Sequence, residues 1–173
     1  MRLLAIDQFS EMGGAQHGFL EAMEGFVGRG WEVHAAVPDG PLLPQLETLC
    51  DSVTALRCGP FRSVNKTPLD ACRFAWQTPG QVSSLRRIIA QHPIDAVYVN
   101  GPRLVASAAI AAGDRPLIFH SHSVVTQPSV ARLVHFVLQA RSATVLASSE
   151  FVTQWLTPPV PRDSIQVIYN GIA

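Results

Sequence analysis

The sequence predicts an α/β fold: a Rossmann-like, three-layer domain built on a parallel sheet of about seven strands. Three observations carry that expectation. Short apolar runs alternate with segments of helical period along the whole chain. The opening run, Leu3 to Ile6, suits a strand buried on both faces. It ends at Asp7 and feeds a turn bearing Gly13 and Gly14, and a helix follows at once.

That helix is expected over Ala15 to Arg29, because Phe19, Leu20, Met23, Phe26 and Val27 fall on one stripe. Gly28 and Gly30 stop it. A second strand runs from Trp31 to Val37 and ends at Pro38-Asp39-Gly40, and a short amphipathic helix over Leu42 to Leu49 leads to a third strand, Ser52 to Leu56. Arg57 to Lys66, with Gly59-Pro60 inside it, reads as a long loop. Two helices follow, Leu69 to Trp76 and Gln81 to Gln91, separated by Thr78-Pro79-Gly80. Ile94 to Val99 is the fourth strand, Leu104 to Ala112 a helix of small residues, and Pro116 to Phe119 the fifth strand. Val130, Leu133, Val134, Val137 and Leu138 mark another helix, and Ala143 to Ala147 a sixth strand. Ser148 or Ser149 can cap the helix from Glu150 to Leu156. Thr157 to Pro161 is a rigid connector, and Ile165 to Tyr169 is the last strand.

The 173 residues suffice for one domain with a sizeable core, taken to span 1–173. Charged residues make up 15% of the chain, below the usual ~25%, so part of the surface is expected to be covered. A net charge of +0 argues against a nucleic-acid partner. Cys50, Cys58 and Cys72 lack metal or disulfide spacing and read as thiols of a reducing compartment. With neither a signal peptide nor a spanning apolar run, the sequence reads as a cytoplasmic protein, and peripheral membrane contact stays open.

In an open parallel sheet, ligands sit beyond the carboxyl ends of the strands. Asp7 to Gly14, Asn100 to Arg103 and His120 to Ser123 lie at such ends. Gly13 and Gly14 let a ligand approach the backbone, and the helix that follows offers free amides to an anion. Asp7 either faces the cleft or caps its own turn. His120 and His122 share a face if the strand runs through them, and either is a structural residue or a ligand contact. No third residue has metal-ligand spacing beside them, so no metal site is expected. Arg62 and Lys66 sit in the long loop, solvated or at the lip of a site. No nucleophile elbow and no pair of catalytic carboxylates is evident.

Four segments together resemble the amino-terminal domain of the retaining glycosyltransferases of family 4. They are Met12-Gly13-Gly14-Ala15-Gln16 with Arg29-Gly30-Trp31-Glu32-Val33, Phe119-His120-Ser121-His122, Ser148-Ser149-Glu150, and Val167-Ile168-Tyr169-Asn170-Gly171-Ile172. The resemblance implies one half of a GT-B architecture, the acceptor-side half, with the donor-binding C-terminal domain lying outside this chain. By itself such a half is expected to be inactive. The implied reaction moves a sugar, of the hexosyl type, from a nucleoside-diphosphate sugar to an acceptor hydroxyl, with no cofactor and no metal. By position, the backbone at Gly13 and Gly14 would approach the donor diphosphate, and His120 would lie near the reacting sugar. Asp7, Asn100, Arg103, His122, Arg62 and Lys66 would be cleft candidates. Gln16 stands where the family usually has Glu, Asn100 where many members have His, Tyr169 where Pro is common and Ala173 in place of Asp. A nucleotide-binding domain of another enzyme class, or a non-catalytic module, is the alternative reading.

Overall fold

The structure, a computed structural model, describes the backbone of residues 1–59 and 68–169, and the side chains of these except 68–74. Seven strands form one all-parallel sheet in the order β3-β2-β1-β4-β5-β6-β7. The strands are β1 Arg2–Asp7, β2 Glu32–Val37, β3 Ser52–Ala55, β4 Ala96–Asn100, β5 Leu117–Ser121, β6 Thr144–Ala147 and β7 Ile165–Val167. The helices between them are α1 Gly14–Val27, α2 Leu42–Glu47, α3 Pro68–Gln91, α4 Val105–Ala112, α5 Pro128–Ala140 and α6 Glu150–Leu156. The expected doubly wound, three-layer domain is therefore present.

Two apolar clusters explain the layering. Leu3, Ala5, Val33, Ala35 and Tyr98 pack with Phe19 and Met23 of α1 and Leu42 and Leu46 of α2. The alternate strand residues Leu4, Ile6, Val97, Val99, Leu117 and Phe119 pack with α3 to α6 on the opposite face. Successive strand side chains point to opposite faces, so the central strands supply both cores, which is why they read as continuous apolar runs. Ser149 caps α6 by accepting the Val152 N–H.

One expectation fails. The Thr78-Pro79-Gly80 break does not exist; α3 runs through it with Pro79 inside. A proline in a helix interior costs about 3 kcal/mol. Tertiary contacts on both sides offset that cost. Gln77 exchanges two hydrogen bonds with the Gly59 backbone, at 3.1 and 2.8 Å. Gln81 accepts from Ser107 of α4 at 2.8 Å and donates to the Arg57 carbonyl at 3.3 Å. Beyond Pro79, Val82, Leu85, Ile88 and Ile89 enter the larger core. Among the described residues no helix is long and apolar enough to cross a membrane.

The chain winds outward from β1 in both directions: to β2 and β3 on one side, to β4 and beyond on the other. The switch between β1 and β4 opens a crevice at the carboxyl ends of the strands.

Candidate functional site

Register brings the site together across three adjacent strands. Asp7 pairs with Asn100 and Asn100 with His120. These three residues and Tyr98 share the α1 side of the sheet. A cavity of about 380 Å³ opens there, lined by Asp7, Gln8, Phe9, Gly14, Ala15, Gln16, Asn100, Gly101, Pro102, His122 and Ser123.

Gly13 is the N-cap of α1; its carbonyl accepts the amides of Gln16 and His17, both at 3.0 Å. Among the described residues no acceptor takes the amides of Gly14 or Ala15, which are among the unsatisfied donors of a helix start. A Cβ at Gly14 would meet nothing within 4 Å, so the turn is open on the cavity side.

Asp7 is fully buried. Its carboxylate accepts the Phe9 amide at 2.8 Å, the Gln16 side chain at 3.3 Å and the Asn100 amide. Both alternatives weighed for it are present together: it shapes its own turn and lines the cavity. Burial pushes its pKa up to about 6, against the pull of these hydrogen bonds.

The Asn100 amide nitrogen donates to Asp7, so its oxygen is free to accept from His122 Nε2 at 2.7 Å. His122 therefore carries its proton on Nε2, and its buried Nδ1 is a bare acceptor with no partner among the described residues. The Tyr98 hydroxyl meets His120 Nδ1 at 2.5 Å. Burial raises the Tyr98 pKa, so the phenol stays protonated, and its hydrogen has this ring nitrogen to donate to. His120 then holds its own proton on Nε2, which is buried and has no partner among the described residues. Burial and the neighbouring His122 lower the His120 pKa to about 3, and burial lowers that of His122 to about 4. Both rings are neutral at pH 7, with centroids 4.0 Å apart. One offers a donor and the other an acceptor, the complement of a hydroxyl group.

The sequence candidates thus divide. Asp7, Gly14, Asn100 and His122 line the cavity, and Gly13 caps the helix beside it. His120 is not a lining residue; it lies behind His122. Arg103 turns its guanidinium over the Phe9 ring, 4.8 Å from the centroid, and its amide donates to Gln8 Oε1 at 2.8 Å. Arg62 and Lys66 lie outside the described residues. Sequence reasoning missed Tyr98 and Gln8. Tyr98 was legible only as a strand residue, although an aromatic hydroxyl two residues before the strand end is the available signal. Gln8 packs 2.7 Å from where a Cβ of Gly101 would stand, and Gly101 has φ +95°. Neighbouring this cavity is a wider one of about 610 Å³, lined among others by Phe9, Glu11, Asp39, Arg57 and Gln77.

A family model described as Glycosyltransferase Family 4 matches residues 12–173. Among curated proteins none matches. The fold is similar to that of Anabaena HepE, solved with UDP and glucose (TM-score 0.71, 21% identity), covering 99% of this chain and 45% of that one. It is likewise similar to a glycosyltransferase from Rickettsia africae (TM-score 0.72, 20% identity, 99% and 43% covered). Acinetobacter baumannii MurG follows (TM-score 0.61, 15% identity, 100% and 47% covered). The chain spans less than half the length of each of these structures.

Proposed function

The chain belongs to glycosyltransferase family 4, and from that membership we propose that it is the acceptor-side half of a retaining enzyme that transfers a hexosyl group. The donor is a nucleoside-diphosphate sugar, the acceptor a hydroxyl, and the reaction needs no metal. A second domain supplies most of the donor site.

The observation that carries this reading is the convergence of uncommitted polar groups at one end of the sheet. Gly14 and Ala15, whose amides no described acceptor takes, line the same cavity as His122, whose Nδ1 has no partner among the described residues. A diphosphate leaving group gathers negative charge as the glycosidic bond breaks. Preorganised N–H dipoles at a helix start stabilise that charge without a cation. The HepE structure, with UDP and glucose bound, supports the choice of donor class. Asp7 bears on the pH range. As a carboxylate it repels an arriving phosphate, and with a pKa near 6 it accepts a proton at modest cost.

In this reading Gly13 shapes the turn that presents the amides, and His120 Nε2–H and His122 Nδ1 grip a sugar hydroxyl. Reaching His120 requires the His122 ring to shift as the sugar enters, because His120 lies behind it. Asn100 and Arg103 hold the rim, Arg103 through Phe9. The wider neighbouring cavity takes the acceptor.

The test uses the full-length protein containing this chain. Purified protein is incubated with UDP-, GDP- and dTDP-sugars in the presence of EDTA, and released nucleotide and product anomers are followed by NMR. Retained configuration is expected, with His120→Ala lowering kcat more than it weakens donor binding. Failure to consume any nucleotide sugar, or inverted product, overturns the proposal. Unchanged kcat in His120→Ala removes that residue from the site.

A further inference from the structure

We propose that Glu32, His34 and His92 form a site for one late first-row divalent cation, with Zn²⁺ as its type, at the end of the sheet opposite the cavity. Glu32 opens β2 and pairs with Arg2, whereas the cavity lies at the far ends of β1, β4 and β5. Glu32 and His34 are two apart on one strand and so share a face. His92 follows α3, and its ring stacks on that of His34 with centroids 3.8 Å apart. One donor atom from each of the three lies within 4.8 Å of the others; among the described residues this is the one such group of His, Cys, Asp and Glu.

The spacing suits a tetrahedral ion. Metal–ligand bonds of about 2.0–2.2 Å place two donors on one ion roughly 3.3–3.6 Å apart. His34 Nε2 and Glu32 Oε1 stand 3.1 Å apart, slightly closer than that bite, so a small outward shift admits the ion. His92 closes the remaining gap by rotating; it is half-buried, its backbone is held by the Ile88 carbonyl at 2.9 Å and the Ile94 amide at 2.7 Å, and among the described residues no hydrogen bond fixes its ring. In the metal-free chain a proton bridges His34 Nε2 and Glu32. A cation takes that proton's place on Nε2, and the neutral ring keeps its one proton by carrying it on Nδ1 instead.

The surroundings already hold the ligands in position. On metal binding, His34 must carry its one proton on Nδ1, and Ser52 Oγ sits 2.8 Å away to accept it. Arg2 Nε holds the other carboxylate oxygen of Glu32 at 2.7 Å, which leaves Oε1 to ligate. Such outer contacts orient a metal's ligands. Two imidazoles and one carboxylate select Zn²⁺, Ni²⁺ or Cu²⁺ over Mg²⁺ or Ca²⁺. The fourth position is left to water. Bound there, the ion ties the end of the 24-residue α3 to the first residues of β2. Its role is therefore structural, and it takes no part in sugar transfer.

The 173-residue chain, stripped with EDTA, is titrated with ZnCl₂ by calorimetry, and its thermal unfolding is followed with equimolar Zn²⁺ or Mg²⁺. One Zn²⁺ per chain and a Tm raised by Zn²⁺ but not Mg²⁺ are expected. His92→Ala and Glu32→Gln should each weaken Zn²⁺ binding at least tenfold, while His122→Ala keeps it. No binding, binding indifferent to both His92→Ala and Glu32→Gln, or binding lost in His122→Ala overturns the proposal.

Discussion

Replacing Tyr98 by Phe should relocate a single proton on His120. The phenol hydroxyl faces His120 Nδ1 inside the core, and that contact keeps the imidazole proton on Nε2. Phenylalanine preserves the ring packing against Phe19 and Phe26 and deletes only the donor. Nδ1 is then a buried acceptor without a partner, at a cost of about 1–3 kcal/mol. The ring proton can then move to Nδ1 without losing a protein hydrogen bond, because among the described residues Nε2 has no partner, so the phenol's bias toward one tautomer is removed. A preference of about 1 kcal/mol corresponds to a roughly fivefold ratio of tautomers, so the variant should show both forms. Its Tm should fall by about 2–12 °C, given 2–4 °C per kcal/mol for a chain of this size. The assay is long-range ¹H–¹⁵N correlation of the imidazole nitrogens at pH 7. In the parent chain Nε2 should resonate as protonated and Nδ1 as bare; the variant should show intermediate shifts. A parent His120 protonated on Nδ1, or a variant spectrum identical to the parent's, would refute the reasoning.

Acid should destabilise the fold through the two histidines. Their folded pKa values, about 3 and about 4, lie below the ordinary 6.5. Their contribution is complete above pH 6.5 and is lost as pH falls through the folded values. At 1.36 kcal/mol per pKa unit this amounts to at most about 8 kcal/mol for the pair. Asp7 acts in the opposite sense. Its pKa is raised from 3.8 to about 6, so the fold loses up to about 3 kcal/mol as pH rises through that window. The net expectation is a Tm that drops steeply between pH 6.5 and pH 4, and a flat profile there would contradict the burial of both rings. Gly101→Ala should cost about 2 kcal/mol or more, because φ is +95° and Gln8 occupies the space the methyl needs. Chemical denaturation checks it, and an unchanged midpoint would be the contrary result. Gly14→Val should leave stability within about 1 kcal/mol, since the position is open, yet weaken UDP binding to the full-length protein at least tenfold. Equal UDP affinity by calorimetry would separate the Gly14 turn from the donor site.

The fold was legible because parallel strands covered on both faces announce themselves as short apolar runs. Gly13-Gly14 and Gly28 to Gly30 bracketed the first helix, and Ser149 marked the start of the last. Pro79 misled because local propensity opposes a helix there; the contacts of Gln77 and Gln81 that override it join residues 18 to 26 positions apart. The site was legible as three strand ends, since topology alone brings Asp7, Asn100 and His120 into register. The hydrogen-bond directions were not. They depend on which atoms face each other after packing, so Tyr98 stayed hidden as a core aromatic, and Glu32, His34 and His92 joined only once α3 had been laid along the sheet.

Asn100 acts as an adapter between its neighbours. It presents hydrogen to Asp7 and oxygen to His122, so its amide has a sense, and the sense can be reversed. A protonated Asp7 needs an acceptor, and all its hydrogen-bond partners among the described residues are donors. Turning the Asn100 amide over supplies that acceptor, at the expense of its contact with the Ala15 carbonyl. The turned amide then offers hydrogen to His122, which must give up its Nε2 proton and take one on Nδ1. A proton gained at the end of β1 is thereby reported as a donor in place of an acceptor two strands away. This toggle would let the charge of whatever lies against Asp7 decide how His122 greets the next hydroxyl.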